Sequence, residues 1–272
     1  MKKLIALLLA LTMCLGLMAA CGEEESAKTK IAVQKGTTAL MYAQVLNGVE
    51  AVSYNTFALA AQDMKNGNAS YVFVDKTTAN ALCKEIDGIK IIDIALSSEN
   101  YGIGIDPNQP ELKSKIDTIL TEKAEEIDAI KEKYMNGEED KYVGVTSAAK
   151  DVNKADSQLV VATNAEFAPW EYKEGNTYYG IDMEIAQLIA NELGLELVIE
   201  DMAFDVVVSS VGKQCVDIAM SGITITAERM NVINFSIPYY TESIVIVCKA
   251  DDTSLDAVGT VVDALTIICS KN

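Results

Sequence analysis

The chain contains no histidine among its 272 residues. This absence excludes serine–histidine–aspartate triads, cysteine–histidine pairs and histidine-ligated zinc sites. Arginine is nearly absent as well, because Arg229 is the only one and every other basic residue is lysine. No two cysteines stand in a CxxC or other metal-ligand spacing, and the chain has no cofactor motif. We therefore expect no metal, no cofactor and no enzymatic activity.

The amino-terminal end has the pattern of an export signal. Lys2 and Lys3 precede an apolar run over residues 4–17, which is too short for a membrane-spanning helix. The run ends in Leu17-Met18-Ala19-Ala20-Cys21, which resembles a bacterial lipobox and implies lipidation at Cys21. A plain signal peptide followed by a chance cysteine is the alternative. We expect a signal peptide over residues 1–20, a lipidated tether over 21–30, and anchoring to the outer face of the cell membrane.

Charge and the remaining cysteines limit the possible partners. The net charge of −18 argues against nucleic acid and against anionic lipid surfaces. It does not give the charge of a small ligand, because most acids are expected on solvated helix faces. Four cysteines follow the export segment, and an exported protein permits one or two disulfides, although buried free thiols are the favoured interpretation. They are Cys83, Cys215, Cys248 and Cys269.

Hydrophobic periodicity predicts two α/β units. From residue 31 to 94, short β-branched runs alternate with amphipathic helical stretches, which is typical of a parallel sheet. Residues 101–105 read as a further strand, and two charged helices follow from Pro110. Residues 144–156 are small and polar, as in a linker, and a second βα series begins at Leu159. In this series Asp182–Leu193 reads as an amphipathic helix with Gly194 just past its end. A mature chain of this length suits two lobes.

Arg229 has the surroundings of a carboxylate clamp. A guanidinium presents a rigid fork of donors that lysine cannot match. The segment Ser221–Arg229 (SGITITAER) supplies three hydroxyl groups and a glycine beside it. An ordinary surface arginine is the alternative.

Several motifs of the second half carry a family resemblance. They are Ala162–Tyr172 (ATNAEFAPWEY), Gly180–Ala186 (GIDMEIA), Asp217–Arg229 and Phe235–Tyr240 (FSIPYY). In order and spacing they resemble the polar amino-acid-binding proteins of bacterial ABC importers. The resemblance implies a two-lobe periplasmic-binding-protein-like α/β fold with mixed sheets and a two-strand hinge.

The first half resembles the later part of the same family. The matching segments are Ile31–Thr38 (IAVQKGTT), Val52–Asn55, Tyr71–Asp75 (YVFVD) and Pro110–Gly137. The halves thus stand in circularly permuted order, which a fold tolerates when its old termini are close at the surface. We expect one lobe from residues 31–102 plus 249–272 and the other from 103–143 plus 157–247, joined by the linker.

The carboxyl end departs from the family pattern. Residues 253–257 resemble a short helix that leads to the first strand of a lobe. Residues 258–272 (VGTVVDALTIICSKN) could be a replacement edge strand or the remnant of a truncated tandem copy. In the tandem interpretation the two fragments complement each other within the chain or across a dimer; we favour a permuted monomer.

The resemblance implies how a carboxylate would bind. Arg229 matches the residue that holds the α-carboxylate of an amino acid. Gly222 and Thr224 match further donors in the same lobe, and Thr38 matches a donor in the other. A helix N-cap is the alternative for Thr38.

The ammonium and side-chain positions follow in the same way. Asp75 matches the acid that holds the α-ammonium, helped by a carbonyl at Ser221 or Gly222; an N-cap is its alternative. Phe167 matches an aromatic stacking position. Asn164 stands where binders of basic side chains often carry an acid, which favours a neutral polar amino acid as ligand.

Hinge bending at the two crossing strands, residues 101–105 and 244–248, is expected to close the lobes on the ligand. The loaded protein would then dock on an ABC permease. Three alternatives remain. The first is a sensor or orphan receptor of the same fold, and the second is a dehydratase of cyclic carboxylic acids with Glu166 or Asp75 as its acid. The third is a non-binding remnant, which only the atypical carboxyl end favours.

Overall fold

A computed structural model describes residues 28–213 and 216–271. The predicted signal peptide, Cys21, most of the tether and Cys215 lie outside these residues. Within them, helices are all too short or too polar to cross a membrane.

The first five-stranded sheet has the order β2-β1-β3-β15-β4. Its strands are β1 Thr29–Gln34, β2 Val49–Tyr54, β3 Tyr71–Asp75, β4 Ile89–Ile92 and β15 Ile244–Lys249. Strand β1 pairs in parallel with β2 and β3, whereas β15 runs antiparallel between β3 and β4. The connecting helices are α1 Thr38–Gln44, α2 Phe57–Lys65 and α3 Lys76–Glu85. The sequence-predicted βα alternation is confirmed over this half.

The second five-stranded sheet repeats this plan, with the order β11-β7-β12-β6-β13. Its strands are β6 Gly104–Ile105, β7 Gln158–Thr163, β11 Glu196–Asp201, β12 Ile218–Ala219 and β13 Asn234–Phe235. Here β6 is the antiparallel strand, between β12 and β13. The helices of this lobe are α6 Ile181–Leu193, α7 Phe204–Ser210 and α8 Ala227–Met230. Gly194 ends α6 in the left-handed conformation, as the sequence predicts.

Each sheet therefore contains one strand from the other half of the chain. The two crossings meet in a short antiparallel pair, β5 Glu99–Tyr101 with β14 Tyr240–Glu242. The single strand predicted over 101–105 is split into β5 and β6. The lobe boundary predicted after residue 247 is wrong, because all of β15 pairs within the first sheet. The lobe change precedes Ile244.

Two further parts pack against helix α6 of the second lobe. One, which the sequence analysis did not predict, is a three-stranded antiparallel sheet of β8 Glu166–Phe167, β9 Glu171–Glu174 and β10 Thr177–Tyr179. The charged helices α4 Pro110–Glu122 and α5 Ala124–Met135 pack beside α6, where the Tyr134 hydroxyl donates to Glu184 at 2.7 Å. The linker follows the same lobe, since Val145 bridges to Tyr178 and the Ala148 N–H donates to the Leu197 carbonyl. One 3₁₀ turn, Glu139–Lys141, precedes the linker, and a second, Val152–Ser157, forms its end.

The carboxyl end forms a helix, α9 Val261–Ser270, and not an edge strand. Ala264 and Ile268 are buried against the first sheet with Leu255. The Thr29 hydroxyl, at the start of β1, donates to the Ile268 carbonyl at 2.8 Å and to the Lys271 carbonyl at 3.1 Å. The short helix predicted over 253–257 is absent; those residues form a turn. The two ends of the folded body thus lie side by side.

Candidate ligand-binding site

A narrow cleft lies between the two sheets, beyond the ends of several strands. Ligands of α/β folds bind at such strand ends, where loops and helix amino termini meet. Its walls come from both lobes and are formed by Gln34, Thr37, Thr38, Phe57, Asp75, Phe167, Phe204, Ser221, Gly222, Thr224 and Arg229. The structure thus brings together all but one of the residues predicted for the site; the exception is Asn164.

Arg229 spans the cleft from the second lobe to the first. It lies in α8, whose N-cap Thr226 accepts the Arg229 N–H at 3.2 Å. Its guanidinium donates to the Thr224 carbonyl at 2.8 Å and to the Gly36 carbonyl, in the other lobe, at 3.1 Å. Desolvation lowers the pKa of this group, although nearby acids oppose the shift. Among the described residues no carboxylate pairs with it, so donors of its fork remain for a ligand.

Thr38 and Thr224 both donate to one carboxylate oxygen that the sequence analysis missed. The Thr38 hydroxyl lies 2.7 Å and the Thr224 hydroxyl 2.6 Å from Glu99 Oε2. Glu99 is on the crossing strand β5 and is only 4% exposed. The N-cap of α1 is Thr37, so the alternative role for Thr38 is not the one observed. A buried carboxylate thus already bridges hydroxyls of the two lobes.

Asp75 ends β3 and faces the cleft. It occupies the N-cap position of α3, yet its side chain makes no capping bond. Burial, with the nearby carboxylates of Glu242 and Glu99, raises the pKa of Asp75 to about 8. The following Lys76 turns away and pairs with Asp93 at 2.7 Å. At neutral pH, Asp75 therefore retains its proton in the absence of a cationic partner.

Ser221 and Gly222 form a constrained turn in the wall. Gly222 has φ +52°, and a Cβ there would lie 2.6 Å from the Phe167 ring. Its N–H donates to Asp182 Oδ2 at 2.8 Å, and the Ser221 hydroxyl donates to Glu171 Oε1 at 2.6 Å. The predicted Gly222 N–H donor is thus directed to a buried acid and away from the cleft.

The predicted specificity residue, Asn164, does not line the cleft. Its side-chain oxygen accepts from Gln34 Nε2 at 2.9 Å, and its nitrogen donates to the Met202 carbonyl at 2.9 Å. Asn164 is therefore a contact between lobes, and Gln34 lines the cleft in its place. No sequence signal distinguished Gln34 from other strand-end residues.

Aromatic side chains form the apolar part of the site. Phe167 lies in the wall, with its ring centroid 5.8 Å from that of Phe57. Trp170 is fully buried and donates from Nε1 to the Thr77 hydroxyl of the other lobe at 2.8 Å. Glu166, the alternative catalytic acid, is exposed and does not line the cleft.

Comparison with known proteins identifies the second half of the chain. Residues 159–264 match the model of the bacterial extracellular solute-binding proteins, family 3. The arginine-binding extracellular protein ArtP of Bacillus subtilis is 38% identical over 94 residues, which are 35% of this chain and 37% of ArtP. A cyclohexadienyl dehydratase of Pseudomonas aeruginosa is 39% identical over 82 residues, 30% of this chain and 31% of that protein. The chain spans well under half the length of these curated relatives.

Solved structures give similar matches. The arginine-bound form of domain 1 from TmArgBP is 33% identical, with 44% of this chain and 98% of that chain covered and a TM-score of 0.31. The ligand-binding core of GluR0 with L-glutamate is 13% identical over 91% of this chain and 95% of that chain, with a TM-score of 0.44. The family match thus concerns residues 159–264, which are similar to the bacterial extracellular solute-binding proteins, family 3.

Proposed function

We propose that this protein captures an amino acid between its lobes and delivers it to an ABC permease in the membrane. The observation that supports this most strongly is the meeting of Arg229 and Thr224, from one lobe, with Asp75 and Thr38, from the other, in a single cleft. Arg229 would hold the α-carboxylate and Asp75 the α-ammonium. Removing both charges of a zwitterion from water is costly, so each needs a close partner.

The charges around the cleft favour a cationic amino acid. The acids Asp75, Glu99 and Glu242 are all buried near one another, and Arg229 is the only base among the described residues that line the cleft. The preference for a neutral polar ligand relied on Asn164, whose amide is engaged between the lobes. Several relatives are described as arginine-binding, which agrees with a ligand of net positive charge.

Hinge closure would couple capture to transport. The short β5–β14 pair joins the two crossings, and the ligand's two charges would contact opposite lobes. Closure is then favoured by the ligand, because these contacts form together only in the closed state. We propose that Cys21 carries the lipid anchor and that the protein acts as a monomer on the outer face of the cell membrane. Substitution of Cys21 by Ala should then move it from the membrane fraction to the medium.

We also propose that the chain is a circular permutant and not a pair of truncated tandem fragments. Both five-stranded sheets are completed within one chain, and the Thr29 hydroxyl bonds the Lys271 carbonyl. A reordered chain of residues 158–271 followed directly by 28–142 should therefore fold and bind as the original does. Failure of that chain to fold, with a cooperative transition in the original, would contradict a simple permutation.

Thermal unfolding of residues 22–272 against a panel of single amino acids tests the binding function. A ligand at a hundred times its Kd stabilises the folded state by about 2.7 kcal/mol, so the melting temperature rises visibly. We expect the largest rise with L-arginine and none in Arg229→Ala. Lys113→Ala, which alters a half-buried pair with Asp117 outside the cleft, is the matched control and should keep the rise. A cooperative transition that no amino acid shifts would reject the proposal.

A dehydratase of cyclic carboxylic acids is the second candidate. The raised pKa of Asp75, about 8, lets it retain a proton that could be donated in the cleft. Product formation from such an acid, lost in Asp75→Asn, would favour this candidate over transport.

A further inference from the structure

Two carboxyl side chains lie directly behind the cleft wall. Glu171, at the start of β9, and Asp182, in the first turn of α6, are both 0% exposed. Glu171 holds the Ser221 hydroxyl at 2.6 Å, and Asp182 holds the Gly222 N–H at 2.8 Å. Two consecutive residues of the wall are thus each held by one acid.

No cation balances this pair among the residues that the structure describes. The groups that face it are Asp201, at the end of β11, and Tyr239, whose hydroxyl donates to Asp182 Oδ1 at 2.8 Å. Two like charges buried side by side cannot both ionise at neutral pH. The site must therefore retain a proton.

The hydrogen bonds indicate where that proton lies. Both oxygens of Asp182 accept, one from Tyr239 and one from Gly222. Glu171 Oε1 accepts from Ser221, whereas Glu171 Oε2 is buried with no donor among the described residues. The Asp182 N–H donates to the Trp170 carbonyl, which keeps the two acids adjacent. With a proton on Glu171 Oε2 that is donated to Asp182, every carboxyl oxygen of the pair takes part in a hydrogen bond. Burial and the charge of Asp182 raise the pKa of Glu171, which agrees with this placement.

We infer that Glu171 and Asp182 share one proton, and that this proton positions the Ser221–Gly222 turn of the cleft. The turn has little freedom to adjust, because Gly222 has a positive φ and lies against the ring of Phe167. Loss of the proton would separate the two carboxylates and move the two wall residues attached to them. Glu171 is thus a positioning residue, and its effect on affinity rests on the proposed amino-acid binding.

Infrared spectroscopy tests the proton without any ligand. Asp75 also retains a proton, so the comparison is made in an Asp75→Asn background at pH 7.5. We expect a protonated-carboxyl C=O band in that protein and its loss in Asp75→Asn/Glu171→Gln. Absence of the band from the Asp75→Asn protein would overturn the inference, whether or not any amino acid binds.

Titration with L-arginine tests the positioning role. Glutamine at 171 can accept from Ser221 and donate to Asp182, so Glu171→Gln should bind L-arginine within about threefold of wild type at pH 7. As pH rises above the pair's pKa, the wild-type Kd should increase relative to that of Glu171→Gln, up to tenfold per pH unit for one proton. The Kd ratio cancels the contribution of Asp75, which is common to both proteins.

Two results would overturn the positioning role. One is a Kd ratio that stays constant to pH 10; the other is loss of L-arginine binding at pH 7 in a Glu171→Gln protein that melts as wild type does. If wild type itself binds no amino acid, the proposed function fails, while the infrared result still decides where the proton is.

Discussion

Among the buried residues around the cleft, acidic residues outnumber basic ones. Asp75, Glu99 and Glu242 are each less than one-tenth exposed, and burial raises the pKa of both Asp75 and Glu242. Arg229 is the base that faces them, and its own burial lowers its pKa because the guanidinium loses hydration. Because these buried acids outnumber the base, we expect them to stabilise a cationic group bound in the cleft.

The pH dependence of folding should reveal Asp75. Its pKa is about 8 in the fold and near 3.8 when unfolded, so the folded state holds a proton that the unfolded chain releases. Stability of the ligand-free protein should fall as pH rises from about 4 to 8, by up to about 1.4 kcal/mol per pH unit from this group. Urea unfolding at pH 5, 6.5 and 8 should show a shallower fall for Asp75→Asn.

Ligand binding should show the opposite trend. An ammonium favours the ionised carboxylate, so binding releases the proton and the affinity of wild type should rise with pH up to about 8. In the urea unfolding experiment, a parallel change with pH in the free energies of unfolding of wild type and Asp75→Asn would mean that the proton is not on Asp75.

Sequence reasoning succeeded for residues whose chemistry is rare in this chain and failed for common ones. Arg229 is unique, and its surroundings predicted a position that the structure places in the cleft. Glu99 and Glu171 were missed because the chain has 40 acids and nothing local separates a buried glutamate from a solvated one. Asn164 was misread because its partner, Gln34, is 130 residues away in the chain.

Among the elements, long periodic segments matched prediction and short ones did not. Helix α6 was predicted nearly to the residue, including its terminal glycine. Strands β8 and β9 have only two and four residues, too few for a periodic pattern. The segment of α9 was predicted as a possible strand because its valines and isoleucines have high β propensity. The structure shows the helical period instead, since Ala264 and Ile268, four residues apart, are both buried against the first sheet.

Helix α9 should contribute measurably to stability through its buried face. Ile268→Ala removes a fully buried side chain and should cost about 2–4 kcal/mol in the free energy of unfolding. Val262→Ala, in the same helix but 72% exposed, is the matched control and should change stability by less than about 0.5 kcal/mol. Equal effects in denaturant titration would mean that α9 does not dock on the first sheet.

In the whole molecule, the two lobes depend on each other because each sheet contains a strand from the other half of the chain. Strand β15 is an interior strand of the first sheet and β6 of the second, and each comes from the other half of the chain. Because removing either would leave a sheet open in its middle, we expect one cooperative unfolding transition for both lobes. The fold class and the exchange were predictable from motif order, whereas the exact residue at which the chain changes lobe required the strand pairing.

Cleavage of the linker tests this interdependence. A protease site inserted between Lys154 and Ala155, in the exposed turn over 152–157, should yield two fragments that stay together on size-exclusion chromatography. Circular dichroism of the cut protein should match that of the intact one. Each fragment alone should be largely unfolded, since it lacks an interior strand of its own sheet. Independent folding of the 28–154 fragment would contradict this expectation.

The position of β15 also determines how late in synthesis the first lobe can complete its sheet. Strands β1 to β4 are complete by residue 92, yet the strand that joins β3 to β4 spans residues 244–249. A ribosome must therefore make more than nine-tenths of the chain before the first-made lobe can close its sheet. Until then the nascent chain holds an unfinished sheet with an unpaired apolar edge, which is open to incorrect strand pairing.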